Sequence, residues 1–159
     1  MPTMPAAGSI APTFNLPATG GQRIDLSDYL GKVVVLYFYP RADTPGCTTE
    51  ACGFRDALAD YDAAKVVVLG ISPDPIKDVQ KFSDKFKLTF PLLADAEHTV
   101  SERYGVWGEK SMYGKTYMGV SRVTFVIGKD GTVEHVFDKV KPAGHDQEVL
   151  AWIKDHKLA

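Results

Sequence analysis

The chain has two thiols, Cys47 and Cys52, five positions apart within YPRADTPGCTTEACGFRD (39–56). Such thiols can act as nucleophiles, metal ligands or a redox pair, or can simply pack. Zinc asks for about four ligands, and the histidine nearest in sequence is His98. A CxxC exchanger has two intervening residues, whereas this pair has four. On an intact helix, residues five apart differ by ~140° and by ~7.5 Å in rise, placing their Cα atoms ~8.6 Å apart. A disulfide wants Cα atoms about 4.4–6.8 Å apart. The pair therefore cannot bond while such a helix is formed.

The residues ahead of Cys47 read as a strand-to-helix turn. Pro40 stops the apolar run VVVLYFY (33–39). Thr44 suits the N-cap, Pro45 the first helical position, and Gly46 lets a backbone approach closely. Cys47 then occupies the slot where a capping box places Glu or Gln, at the positive end of the helix. A thiol of pKa ~8.5 brought to ~6 requires ~3.4 kcal/mol of stabilisation of its anion. A helix terminus supplies only about 0.3–1 kcal/mol. A reactive Cys47 thus needs a cation or further hydrogen bonds, for which Arg41, Arg55 and Arg122 are available. The local chemistry also fits an inert, buried helix cysteine.

The elements that must position this turn follow from patterning. The 159 residues suit a single domain, 1–159, with one good core. With 45% hydrophobic and 24% charged residues and a net charge of −2, nothing points to nucleic acid or an anionic membrane as partner. The longest apolar run, VVVLYF, is far too short for a membrane span. MPTMPAAGSIAPTF lacks a basic n-region and an apolar h-region, so a cytoplasmic protein is expected. PTFNLPAT and QRIDLS flank Gly20-Gly21 as a β-hairpin. The runs at 33–39 and KVVVLGIS (65–72) read as strands covered on both faces. Helical spacing puts Cys47, Ala51, Phe54, Leu58 and Tyr61 on one face, and Ile76, Val79, Phe82 and Phe86 on another. FPLLAD is a short strand and EHTVSERYG a short helix. GEKSMYGKTYMG (108–119) is an exposed loop or hairpin, RVTFVI and TVEHVFD pair around Asp130-Gly131, and AGHDQEVLAWIKDHK closes the chain as an amphipathic helix. This order predicts an α/β sandwich with a mixed sheet, the order of the thioredoxin fold.

Pro40-x-x-x-Thr44-x-x-Cys47 resembles the active-site motif of the peroxiredoxins. FYPRADTPGCTTEAC is similar to the bacterioferritin comigratory protein group, also called peroxiredoxin Q, as are GFRD (53–56), FPLLAD (90–95), MYGK (112–115) and RVTFVI (122–127). The resemblance implies a thioredoxin-like fold, with a central mixed β-sheet flanked by helices and an added N-terminal β-hairpin. It implies a thiol-dependent peroxidase for hydrogen peroxide and organic hydroperoxides. Cys47 matches the peroxidatic cysteine that becomes a sulfenic acid, and Cys52 the resolving cysteine that closes a Cys47–Cys52 disulfide. Thr44 matches a hydroxyl donor to the thiolate or peroxide, Pro40 a shield against water, and Arg122 the stabilising cation. Glu50 holds an acidic position of the motif, fit to steady an arginine. A thioredoxin- or glutaredoxin-type reductant, a monomer, and no metal, haem or flavin cofactor are implied. Val123 departs from the hydroxyl residue usual after the arginine. Trp107, Met112 and Tyr113 read as packing residues and Trp152 as a core residue. The four histidines form no cluster in sequence. A redox sensor and a dithiol exchanger are the competing classes.

Overall fold

The computed structural model describes residues 4–158. The chain opens with the hairpin β1 (Asn15–Ala18) and β2 (Gln22–Asp25), which turns on Gly20 and Gly21 at φ 81° and 73°. A single-turn 3₁₀ helix, Leu26–Tyr29, leads to β3 (Val33–Phe38). Then come α1 (Pro45–Ala63), β4 (Val66–Ser72), α2 (Ile76–Phe86), β5 (Leu92–Ala94) and α3 (Thr99–Arg103). The chain ends with β6 (Trp107–Met112), β7 (Lys115–Val120), β8 (Val123–Ile127), β9 (Val133–Phe137) and α4 (His145–Asp155).

Seven strands form one mixed sheet in the order β2-β1-β5-β4-β3-β8-β9. The N-terminal hairpin joins it through the Ala18–Leu93 pairing. β3 is parallel to β4 and antiparallel to β8. Every β3 residue is buried, as an unbroken apolar run on a two-sided sheet requires. Strand alternation divides the core: Val33, Val35, Tyr37 and Tyr39 face the layer with α1, α2 and α4, whereas Val34, Leu36 and Phe38 join Tyr104 and Phe125 on the other side. No helix among the described residues is long and apolar enough to cross a membrane.

Two connections place the functional residues. β3 runs out at Phe38, and a tight turn with Asp43 at φ 60° delivers the chain into α1. Phe38 pairs with Val123, so the residue before β8, Arg122, arrives beside the end of β3 and the start of α1. The segment 108–119 is a two-stranded hairpin apart from the main sheet and feeds through Ser121 into Arg122.

Two packing expectations need correction. Tyr113 is 97% exposed, because it forms the hairpin tip with Gly114 at φ 54° and 77° and points into solvent. Trp152 is only partly buried, lying between the rings of His135 (4.6 Å) and His156 (4.0 Å). Trp107 does pack, stacked on His98 at 3.9 Å. The Met112 side chain lies outside the described residues.

Candidate active site

Cys47 sits in the first turn of α1 and is 1% exposed. Its helix starts because Pro45 cannot donate a backbone hydrogen bond and needs none there. Thr44 holds the cap position with extended backbone, and its carbonyl accepts the first helical bond from Thr48 N–H at 2.8 Å. The side chain does not cap as the sequence suggests. Its hydroxyl donates instead to the Arg41 carbonyl at 2.8 Å, closing the turn made by the left-handed Asp43. The Thr44 side chain therefore leaves the first-turn N–H groups of Gly46 and Cys47 pointing out of the helix end, as donors for an incoming charge.

Arg122 bridges two α1 residues. One guanidinium nitrogen, Nη2, donates to the Cys47 sulfur at 3.4 Å, and Nη1 donates to Glu50 Oε1 at 2.7 Å. Gly46 makes this approach feasible, since a Cβ there would stand 3.0 Å from Arg122 Nη2. The close approach expected here from a backbone is instead made by a side chain, because Arg122 enters from the start of β8. Glu50 is 1% exposed, one turn beyond Cys47 on the buried face of the helix. Burial pushes its carboxyl up to about 7, against the opposing pull of Arg122. The charges of Cys47 and Glu50 hold the Arg122 guanidinium up against the desolvation that would lower it.

The other two arginines are not at the sulfur. Arg41 is exposed. Arg55 is turned away along α1, donating to the Phe86 carbonyl at 2.7 Å and to Asp56 at 3.0 Å. Pro40 is half-buried directly after β3. Val123 is 2% exposed and gives Arg122 no polar support; the hydroxyl of Thr124 instead meets the buried His145 at 2.8 Å.

Three features escaped the sequence reading. Tyr37 and Tyr39 lie fully buried on the α1 side of β3, and neither hydroxyl has a hydrogen-bond partner among the described residues. Glu50 Oε2 is in the same position. Gly53 admits Asp146 of α4: a Cβ at Gly53 would meet Asp146 Oδ1 at 2.6 Å. A glycine inside an otherwise regular helix is the signal that could have marked this contact.

Cys52 is half-buried, and both thiols are free within one continuous helix. The site thus combines a buried sulfur at a helix N-terminus, a guanidinium against it, and a second thiol five residues further along the helix. The AhpC/TSA family model matches residues 7–136. Peroxiredoxin Bcp of Escherichia coli K12 is 50% identical over 150 residues, covering 94% of this chain and 96% of that protein. The chain belongs to the peroxiredoxins. Peroxiredoxin Q from Xanthomonas campestris superposes with a TM-score of 0.88 at 39% identity, over 94% of this chain and 98% of that one. Peroxidoxin BcpB from Mycobacterium tuberculosis gives 0.84 at 37% identity, over 95% and 97%. As a peroxiredoxin, the protein is a thiol-dependent peroxidase that takes a peroxide as oxidant and a thiol as reductant.

Proposed function

We propose that Cys47 is the peroxidatic cysteine and Cys52 the resolving cysteine of this peroxidase. The observation that carries the reading is the 3.4 Å contact of Arg122 Nη2 with the Cys47 sulfur at a helix N-terminus. A hydrogen bond to a charged group contributes about 1.5–3 kcal/mol, and the helix end about 0.3–1 kcal/mol. Both act in the direction of favouring the Cys47 anion, and Arg122 is the larger of the two.

The Cys47 thiolate attacks the terminal oxygen of the hydroperoxide. The O–O bond breaks, the alkoxide or hydroxide leaves and takes a proton, and Cys47 becomes a sulfenic acid. Negative charge spreads over sulfur and two oxygens in that transition state. The planar Arg122 and the outward N–H groups of Gly46 and Cys47 are placed to receive it. Thr44 reaches the peroxide by exchanging its bond to the Arg41 carbonyl, and Pro40 screens the sulfur from bulk water. Glu50 fixes the plane of the guanidinium.

Cys52 then condenses with the sulfenic acid, and a dithiol reductant of thioredoxin or glutaredoxin type reopens the disulfide. Because both cysteines lie in α1, the first turns of this helix must melt for the bond to form. The protein works as a monomer in the cytoplasm, taking both small and organic hydroperoxides.

Single-turnover and steady-state peroxide consumption by two variants test the assignment. Cys47→Ser abolishes both. Cys52→Ser reacts once, accumulates a sulfenic acid trappable by dimedone, and stops. Sustained turnover of Cys47→Ser with a thioredoxin system refutes the roles given to the two thiols.

A further inference from the structure

Arg55 does not serve Cys47, yet it is built into the structure with care. Cys52 and Arg55 are three residues apart on an unbroken helix, so their side chains share one face, a single turn apart. Arg55 Nη1 donates to the Phe86 carbonyl at the C-terminal end of α2 at 2.7 Å, and its side chain keeps only 32% of its exposure. That bond fastens the guanidinium between two helices instead of leaving it to sweep through solvent. Cys52 is half-buried beside it.

We propose that Arg55 is a positioning residue for the second chemical step, holding a fixed positive charge three residues from Cys52, a tether that persists when the turns ahead of Phe54 melt, so that Cys52 attacks as its anion. This rests on the assignment of Cys52 as the resolving thiol. In the step, Cys52 first loses its proton to solvent, and its sulfur then forms an S–S bond to Cys47. The S–O bond of the Cys47 sulfenic acid breaks, and hydroxide leaves and is protonated to water. Cys52 is oxidised and the sulfenic sulfur reduced, with no further oxidant.

Three observations support the placement. The hydrogen bond to Asp56 is the main influence raising the Arg55 guanidinium, and Cys52 acts in the same direction as a lesser negative partner. Arg55 lies beyond Phe54, which is anchored in the core, so the charge stays in place when the turns ahead of it melt. The charged group in contact with it is Asp56 on α1, at 3.0 Å; of the two lysines that flank Phe86 in sequence, Lys85 and Lys87, Lys85 is paired with Asp43 at 3.0 Å. Asp56 is 70% exposed and engages only Nε, and the Phe86 carbonyl engages Nη1, so Nη2 is the nitrogen that neither bond occupies.

The test is a stopped-flow single turnover of the reduced full chain with hydrogen peroxide, quenched at intervals and resolved by mass spectrometry into sulfenic acid and disulfide. With Arg55→Met, sulfenic acid forms at the parent rate, because Arg122 serves that step. Disulfide formation slows about two- to fivefold, the range for a partly exposed charge pair. Its pH profile moves to higher pH, and Arg55→Lys restores most of the rate. Resolution at the parent rate at every pH overturns the proposal. So does an equal slowing at all pH values that lysine does not rescue, which marks a packing role. If Cys52→Ser still forms disulfide within one chain, the assignment of the resolving thiol fails instead.

Discussion

Glu50 and Arg122 share one 2.7 Å bond through Oε1, while the second carboxylate oxygen of Glu50 is buried with no partner among the described residues. A carboxyl so placed is poorly solvated when charged, and burial lifts it from 4.5 to about 7. A folded-state value above the unfolded one means the folded chain binds the proton more tightly. The stabilisation is complete below 4.5 and is lost as pH rises through about 7. Glu50→Gln removes this dependence. Urea denaturation from pH 4.5 to 8 should show Glu50→Gln gaining stability on the parent as pH rises. The difference approaches a slope of ~1.36 kcal/mol per pH unit within the window. Parallel curves for the two proteins overturn this account of Glu50.

Gly46 separates stability from catalysis. Alanine is favoured over glycine inside a helix by about 1 kcal/mol, and Gly46 has no left-handed backbone to forbid it. The added methyl would stand 3.0 Å from Arg122 Nη2 and displace the guanidinium from Cys47. Gly46→Ala should melt at the parent temperature or above it. Its rate of reaction with peroxide should drop roughly tenfold, as loss of a charge-assisted hydrogen bond implies. Calorimetry and stopped-flow fluorescence on one preparation check both halves.

Arg122 offers two nitrogens to two different partners at once, which an ammonium on a flexible stem cannot match. Arg122→Met should lower the single-turnover rate by roughly 10²-fold, the scale for one lost oxyanion donor. Arg122→Lys should recover only part of it. Measured in the Cys52→Ser background, the comparison is free of the resolution step. A lysine variant as fast as the parent would show that charge alone suffices.

Melting of α1 has a structural limit at Phe54. That ring stacks on Tyr37 at 4.8 Å and meets His145 edge-on at 5.9 Å, and Gly53 just before it is pressed against Asp146. Hydrogen exchange should therefore show residues 45–52 losing protection on oxidation, while Phe54 and the turns beyond keep theirs. Phe54→Ala should cost about 3–5 kcal/mol of stability and carry the loss of protection toward Tyr61. Equal protection of 45–52 in both redox states would refute melting as a step of the cycle.

Much of this was legible in the chain. The run at 33–39, the Pro45 helix start and the Asp130-Gly131 turn each follow from local chemistry, and so does the order of elements along the chain; the order of strands within the sheet rests on long-range pairing. Selecting Arg122 over Arg41 and Arg55 was not local: it depends on the Phe38–Val123 register, and only motif resemblance stood in for that. The burial of Glu50 was hidden because an acidic residue on a helix is ordinarily solvated. Thr44 misled because a hydroxyl at a cap can serve the helix or the preceding turn, and Asp43 decides for the turn. Tyr113 looked like a packing residue until its place at the hairpin tip was known.

Placing both thiols in one helix makes α1 a spring in the redox couple. In the proposed cycle the reduced state has the helix wound and the disulfide state has it unwound, so the winding energy of its first turns adds to the driving force for reduction. About 1.4 kcal/mol of winding energy corresponds to about 30 mV in a two-electron couple. Contacts far from either sulfur, such as Phe54 on Tyr37 or Asp146 against Gly53, limit how much of the helix unwinds. They therefore help to set the electrode potential at which the protein hands its oxidation on.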